Sequence, residues 1–215
     1  MAFRGRYRAV IFDMDGLLLD TEDLWHEAET ELFRRHDAVF TMDDRMAVMG
    51  TSFEVTADYF ADRLGVPRAE GAGMVEEMIG LMHELVQRQV DARPGAVELV
   101  ERLRATTDVA LGLASNSKRF LVDDALATAG LADAFDTIVT SDDVANAKPA
   151  PDIYLLACER LGVPPSEALA LEDSASGIAA AKAAGLTCIA VPQFAETDVS
   201  AADEVVASLE HLLAG

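Results

Sequence analysis

Asp13 and Asp15 stand two residues apart, directly after the short apolar run Ala9-Val10-Ile11-Phe12. A carboxylate placed there can attack phosphorus and form an aspartyl phosphate that water later cleaves. A second carboxylate two residues on can reach the leaving oxygen, protonate it, and then deprotonate the attacking water. Other reactive groups end later apolar runs: Ser115-Asn116, then Glu172-Asp173, with Lys148 in the segment Ala147-Lys148-Pro149. In an open parallel sheet, ligands bind beyond the carboxyl ends of the strands. Asp13, Asp15, Glu172, Asp173, Lys148 and the Ser115 hydroxyl are therefore expected to line one crevice. Crowded carboxylates repel one another, and a divalent cation relieves that; oxygen donors suit Mg²⁺. A cation together with Lys148 would attract an anion, and phosphate fits. Ser115, Asn116 and Lys148 are the expected phosphate-binding groups, helped by the N–H groups that open the next helix.

The convergence depends on alternating elements. Short apolar runs at 9–12, 109–114, 137–140, 168–171 and 187–191 predict buried strands. Helical patterns fall between them. Val97, Leu99, Val100 and Leu103 mark one, opened by Pro94-Gly95; Phe120–Ala129, Ile153–Leu161 and Ile178–Ala184 mark others, closed by Gly130, Gly162 and Gly185. A last helix is expected near Val205–Leu213. The class is α/β, a Rossmann-like parallel sheet with helices on both faces. The stretch from about Leu18 to Gln89 breaks the rhythm. It has no convincing strand, only helical stripes: Met42, Met46 and Met49, then Val75, Ile79, Met82 and Val86. The chain returns near Asp91–Pro94. The division expected is a core of residues 1–17 and 92–215, with a helical insertion over 18–91.

The chain has 215 residues and a formal charge of −21. Such a field repels phosphate backbones and anionic lipid, so nucleic acid and membrane are not expected partners. Arg4, Arg6 and Arg8 precede an apolar run that stops at Asp13, shorter than the roughly 7–15 residues of a secretory signal. No run approaches the ~18 apolar residues of a spanning helix. Cys158 and Cys188 show no metal-ligand spacing and read as buried thiols of a cytoplasmic protein. The four histidines form no zinc-type cluster. Trp25 reads as packing inside the insertion. Asp20 and Thr21 either form a hinge or cap the first inserted helix.

These motifs resemble the haloacid dehalogenase superfamily: Asp13-Met14-Asp15-Gly16-Leu17-Leu18-Leu19-Asp20, then Ser115-Asn116-Ser117, then Lys148-Pro149, then Leu171-Glu172-Asp173-Ser174 with Gly177. The resemblance implies a five-stranded core of order 3-2-1-4-5 and an α-helical cap inserted after the first motif. It also implies Mg²⁺ held by the Asp13 carboxylate, the Asp15 main-chain carbonyl and Asp173. Glu172 is either a further ligand or a group that orients the cation's waters. The chain looks like the branch of β-phosphoglucomutases, hexose-phosphate phosphatases and pseudouridine-5′-phosphate phosphatases. The mutase pattern carries a His where Trp25 stands, and Lys and Arg where Met49 and Phe53 stand. That favours a Mg²⁺-dependent phosphatase for a sugar or nucleoside phosphate, a monomer or weak homodimer, over a mutase. Asp15, absent from dehalogenases, disfavours that reaction. A third reading, a phospho-acceptor signalling module, would use Asp142 or Asp143 after the third strand.

Overall fold

The computed structural model describes residues 5–105 and 109–213; of the basic N-terminal residues, Arg4 lies outside them. The apolar runs form strands: β1 (Ala9–Phe12), β2 (Ala110–Ser115), β3 (Thr137–Thr140), β4 (Ala168–Glu172) and β5 (Thr187–Ala190). All pair in parallel, in the order β3-β2-β1-β4-β5, with β6 (Glu204–Val205) added beyond β5. β1 is central, with Ala9 opposite Ala110 on one side and Ala168 on the other. This register brings Phe12, Leu113 and Leu171 level, so the residues that follow them leave the sheet at one end.

The sheet has six strands rather than the expected five. The difference lies at Val205, which was expected to open the last helix. Asp203 redirects the chain there: its N–H donates to the Cys188 carbonyl at 2.9 Å, and its carboxylate accepts from the Cys188 N–H at 2.8 Å. The next two residues are thereby laid along the edge of β5. Helix resumes only at Glu210–Leu213.

The helical insertion contains α1 (Glu22–Arg35), α2 (Met42–Val48), α3 (Phe53–Leu64) and α4 (Arg68–Arg88); α5 (Ala96–Arg104), α6 (Arg119–Thr128), α7 (Asp152–Leu161), α8 (Ala175–Ala184) and α9 (Glu210–Leu213) belong to the α/β part. Alternate strand residues face opposite layers. Val10 and Phe12 pack with Leu99, Val100, Leu121 and Val122 of α5 and α6. Ala9 and Ile11 pack with Ile153, Ala157, Ile178 and Ala181 of α7 and α8. The chain leaves and re-enters the α/β part through a paired crossing: Asp20 N–H donates to Asp91 O at 2.8 Å, and Arg93 N–H to Leu18 O at 2.9 Å.

Inside the insertion, Phe33 meets Phe40 and Phe60 edge-on, with centroids 5.0 and 5.3 Å away. Val75, Ile79, Met82 and Val86 are buried as their spacing predicts. Met42 and Met46 are exposed instead. The buried face of α2 carries Asp44, whose carboxylate accepts from Thr41, Tyr59 and Arg63. That polar network turns the two methionines outward. No helix among the described residues is long and apolar enough to cross a membrane.

Glu29 is the exception within this packing: it sits on α1 and is 8% exposed. Burial, with the charge of Glu22 nearby, pushes its carboxyl up to about 8, and Arg45 only partly offsets this. Glu29 therefore favours the fold while protonated. That contribution is complete below the ordinary 4.5 of a glutamate and is lost as pH rises to about 8. Glu29→Gln is expected to raise stability at pH 8 by roughly 1–3 kcal/mol and to change it little at pH 4. Urea unfolding midpoints at the two pH values check this.

Candidate active site

Lys148 sits at the carboxyl end of the sheet with its side chain 3% exposed. An ammonium has three N–H donors, and all three are satisfied. Nζ donates to Asp13 Oδ1 at 2.6 Å, to Glu172 Oε1 at 2.6 Å and to the Ala114 carbonyl at 2.8 Å. The partners come from the ends of β1, β4 and β2, three adjacent strands. Asn116 fixes the loop that carries the lysine: its Oδ1 accepts the Lys148 N–H at 2.9 Å, and its Nδ2 donates to the Lys148 carbonyl at 3.2 Å. The Asn116 side chain thus works on the main chain of Lys148.

Glu172 is fully buried, and its Oε1 also accepts from the Tyr154 hydroxyl. Its Oε2 accepts from Ser174 Oγ at 3.3 Å. Ser174 in turn caps α8, accepting the Gly177 N–H at 3.1 Å. A Cβ on Gly177 would lie 2.0 Å from Glu172 Oε2, so only glycine lets α8 start this close to the carboxylate.

Asp15 accepts four hydrogen bonds. Its Oδ1 takes Thr21 Oγ1 at 2.8 Å and Trp25 Nε1 at 3.2 Å; its Oδ2 takes Ser117 Oγ at 2.8 Å and Ser115 Oγ at 3.1 Å. Both carboxylate oxygens are thereby occupied, each by two donors. Ser115, expected at phosphate, turns its hydroxyl to Asp15 and accepts the Ser117 N–H at 3.0 Å. Thr21 makes no capping bond to α1; its hydroxyl goes to Asp15. Trp25 is half-buried against Phe53, with centroids 6.3 Å apart, and also points its N–H at the site.

Asp13, Glu172 and Asp173 bring carboxylate oxygens within 4.8 Å of one another. Burial, then the charges of Glu172 and Asp15, push Asp13 up to about 8 against the pull of Lys148. Burial and the neighbouring carboxylates likewise raise Asp173 well above the usual range. Burial alone would lower Lys148, but Asp13 and Glu172 outweigh it and hold the ammonium above its ordinary value. One lysine leaves this cluster short of positive charge. Hard oxygen donors with unmet negative charge are what Mg²⁺ takes, so the residues fit that ion.

The insertion closes over this end of the sheet. A Cβ on Gly50 would lie 3.5 Å from Ser176 Oγ. Arg45 of α2 donates to the Glu22 carbonyl at 3.2 Å, and its guanidinium lies 5.7 Å from the Phe194 ring centre. Met49 and Phe53 are half-buried at this boundary. Asp142 and Asp143 are engaged by other groups. Although burial works against it, bonds from the Arg119 N–H and Lys118 hold Asp142 below its usual range, and bonds from Arg160 and Thr140 do the same for Asp143.

Sequence reasoning missed Tyr154, named Ser117 within a motif without giving it a role, and missed the polar role of Trp25 and Thr21. The one available signal was a buried phenol or indole N–H, which seeks a partner when buried.

The haloacid dehalogenase-like hydrolase family matches residues 10–191. Among curated proteins, YhcW of Bacillus subtilis is 38% identical over 188 residues, covering 86% of this chain and 83% of that protein. Hexitol phosphatase B of Escherichia coli is 32% identical over 185 residues, again 86% and 83%. The crystal structure of CbbY from Rhodobacter sphaeroides in complex with phosphate superposes with a TM-score of 0.85 at 30% identity, covering 96% of each chain.

Replacing Lys148 tests the charge balance directly. Lys148→Met leaves Asp13 and Glu172 buried without a counter-charge, and breaking such a pair is expected to cost about 3–5 kcal/mol. Urea unfolding at pH 7 measures it. A loss below about 1 kcal/mol would mean that the carboxylates escape by protonation or hydration.

Proposed function

Because this chain belongs to the haloacid dehalogenase-like hydrolase family, we propose that it is a Mg²⁺-dependent phosphatase. Its substrate is a small phosphomonoester, a sugar phosphate or nucleoside phosphate, and the reaction runs through an aspartyl phosphate on Asp13. The observation that carries this reading is the Lys148 ammonium 2.6 Å from both Asp13 and Glu172, within a cluster of three carboxylates. The hexitol phosphatase relative and the phosphate-bound CbbY structure support the substrate class.

Asp13 is the nucleophile. Its free carboxylate oxygen forms a bond to phosphorus as the ester oxygen–phosphorus bond breaks. Asp15, in its protonated form, gives the leaving oxygen its proton and is left as a carboxylate. Water then attacks the phosphoryl group, Asp15 takes the water's proton, and Asp13 and inorganic phosphate are released. Asp13, Asp173 and the Asp15 main-chain carbonyl would hold Mg²⁺, with Glu172 beside them, and the bound ion supplies the charge that lets a phosphate dianion approach these carboxylates. Lys148 holds Asp13 in place and partly offsets the burial and the neighbouring carboxylates that raise it. Ser115 and Asn116, spoken for in this arrangement, act on phosphate through Asp15 and the Lys148 loop.

Residues 18–91 serve as a lid over a core of 1–17 and 92–215. Asp15 must leave the Thr21 and Trp25 donors before it can deliver a proton, and both donors belong to the lid. Lid movement and acid catalysis are thereby linked.

Phosphate release from a panel of sugar, polyol and nucleoside phosphates, with Mg²⁺ and with EDTA in parallel, tests the proposal. Release is expected only with Mg²⁺, and Asp13→Asn is expected to lower kcat by about 10³-fold or more. Retained release in Asp13→Asn overturns the nucleophile assignment. Conversion of β-glucose 1-phosphate to glucose 6-phosphate without free phosphate overturns the phosphatase reading in favour of a mutase.

A further inference from the structure

Gln193 lies three residues past the end of β5, on the strand next to the one that carries Glu172 and Asp173. The two strand ends are tied: Ala190 is in register with Glu172, and the Val191 N–H donates to the Glu172 carbonyl at 2.7 Å. Gln193 Nε2 donates to Asp20 Oδ1 at 3.3 Å, at the crossing into the insertion. That bond fixes the amide orientation, because the opposite one would set an oxygen against a carboxylate. The Gln193 Oε1 atom is then buried and has no hydrogen-bond donor among the described residues. A buried acceptor left without a donor costs about 1–3 kcal/mol, so its retention calls for an explanation.

Its surroundings supply one. Gly16 has φ +79°, and a Cβ there would lie 2.3 Å from Asp173 Oδ2 and 3.3 Å from Gln193 Oε1. Both oxygens therefore lie close to the Gly16 backbone, where only a residue without a side chain leaves them room. A donor that reaches both would satisfy the Gln193 oxygen. Asp173 Oδ2 belongs to the carboxylate cluster that fits Mg²⁺, and Mg²⁺ keeps several of its waters when protein-bound. Such waters donate strongly, and the groups that accept from them set metal affinity.

We infer that Gln193 is a positioning residue for the cation: its Oε1 accepts a hydrogen bond from a water of the Mg²⁺ shell on the Asp173 side. This rests on the metal reading proposed above and extends it to a residue that contributes no ligand. It also ties the cation to Asp20 through a single side chain. The amide faces the metal water with one end and the crossing strand of the insertion with the other.

Calorimetric titration of the full-length protein with MgCl₂ tests this without any turnover. Gln193→Met keeps the length and removes both polar ends. It is expected to weaken Mg²⁺ binding by about 10-fold or more, with the melting temperature in EDTA unchanged or raised. Gln193→Glu combined with Asp20→Asn keeps an acceptor toward Asp173 and restores a donor at position 20; it is expected to bind Mg²⁺ at least as tightly as the wild type. Equal affinity in Gln193→Met and wild type overturns the inference while leaving the metal site intact. Equal weakening in both variants overturns it too, since the side chain would then serve packing alone. A wild-type protein that takes up no Mg²⁺ overturns the metal reading itself, and this inference with it.

Discussion

A lysine ammonium buried between two carboxylates is stable only if every charge and every N–H meets a partner, and Lys148 imposes that condition on the rest of the molecule. Its three bonds reach Asp13, Ala114 and Glu172 at one end of three strands, so β2, β1 and β4 must keep a fixed register there. The parallel register does this, with Phe12 paired to Leu113 and Leu171. The loop bearing Lys148 must also be held, and the two-point contact with Asn116 holds it. Glu172 in turn needs the Tyr154 hydroxyl and the Ser174 cap of α8, and the cap needs glycine at 177. A buried pair is a poor source of net stability. Its value here is geometric: it holds the Asp13 carboxylate at a fixed point beneath the crevice.

Asp15 carries the second constraint. Two of its donors, Ser115 and Ser117, come from the sheet side, and two, Thr21 and Trp25, come from the insertion. One carboxylate therefore reports on both parts. With both oxygens occupied, the proposed proton transfers to and from Asp15 need some of these donors to move away. The insertion thus supplies more than a roof.

The strands, the helices on the sheet's faces and the helical insertion were legible because they rest on periodicity and punctuation, whereas the strand order followed from the family resemblance. Apolar runs of four to six residues, bounded by turn residues and alternating with helical patterns, read as buried strands. Val205 was misread because its fate depends on Asp203 gripping Cys188 across the sheet edge, a contact with no local signature. Met42 and Met46 have helical spacing but face outward, since the polar network around Asp44 outweighs their apolar character. The acidic residues and Lys148 of the site were legible from their positions at strand ends. The partners of Asp15 and Glu172 were not, because each is a single polar atom from an element distant in sequence. Gln193 belongs with them: nothing in its neighbours marks it, and only the unpaired oxygen beside Gly16 does.

An anionic substrate must approach a protein whose formal charge is −21. Distant charges are screened within about 8–10 Å at physiological ionic strength, so capture depends on the few groups at the crevice. Lys148 is too deeply paired to act at long range. Arg45 is a cation of the insertion at this boundary, turned toward Glu22 and Phe194. An ester with a single phosphate needs no second strong anion site, so the scarcity of free positive charge at this boundary accords with the phosphatase reading proposed for the chain.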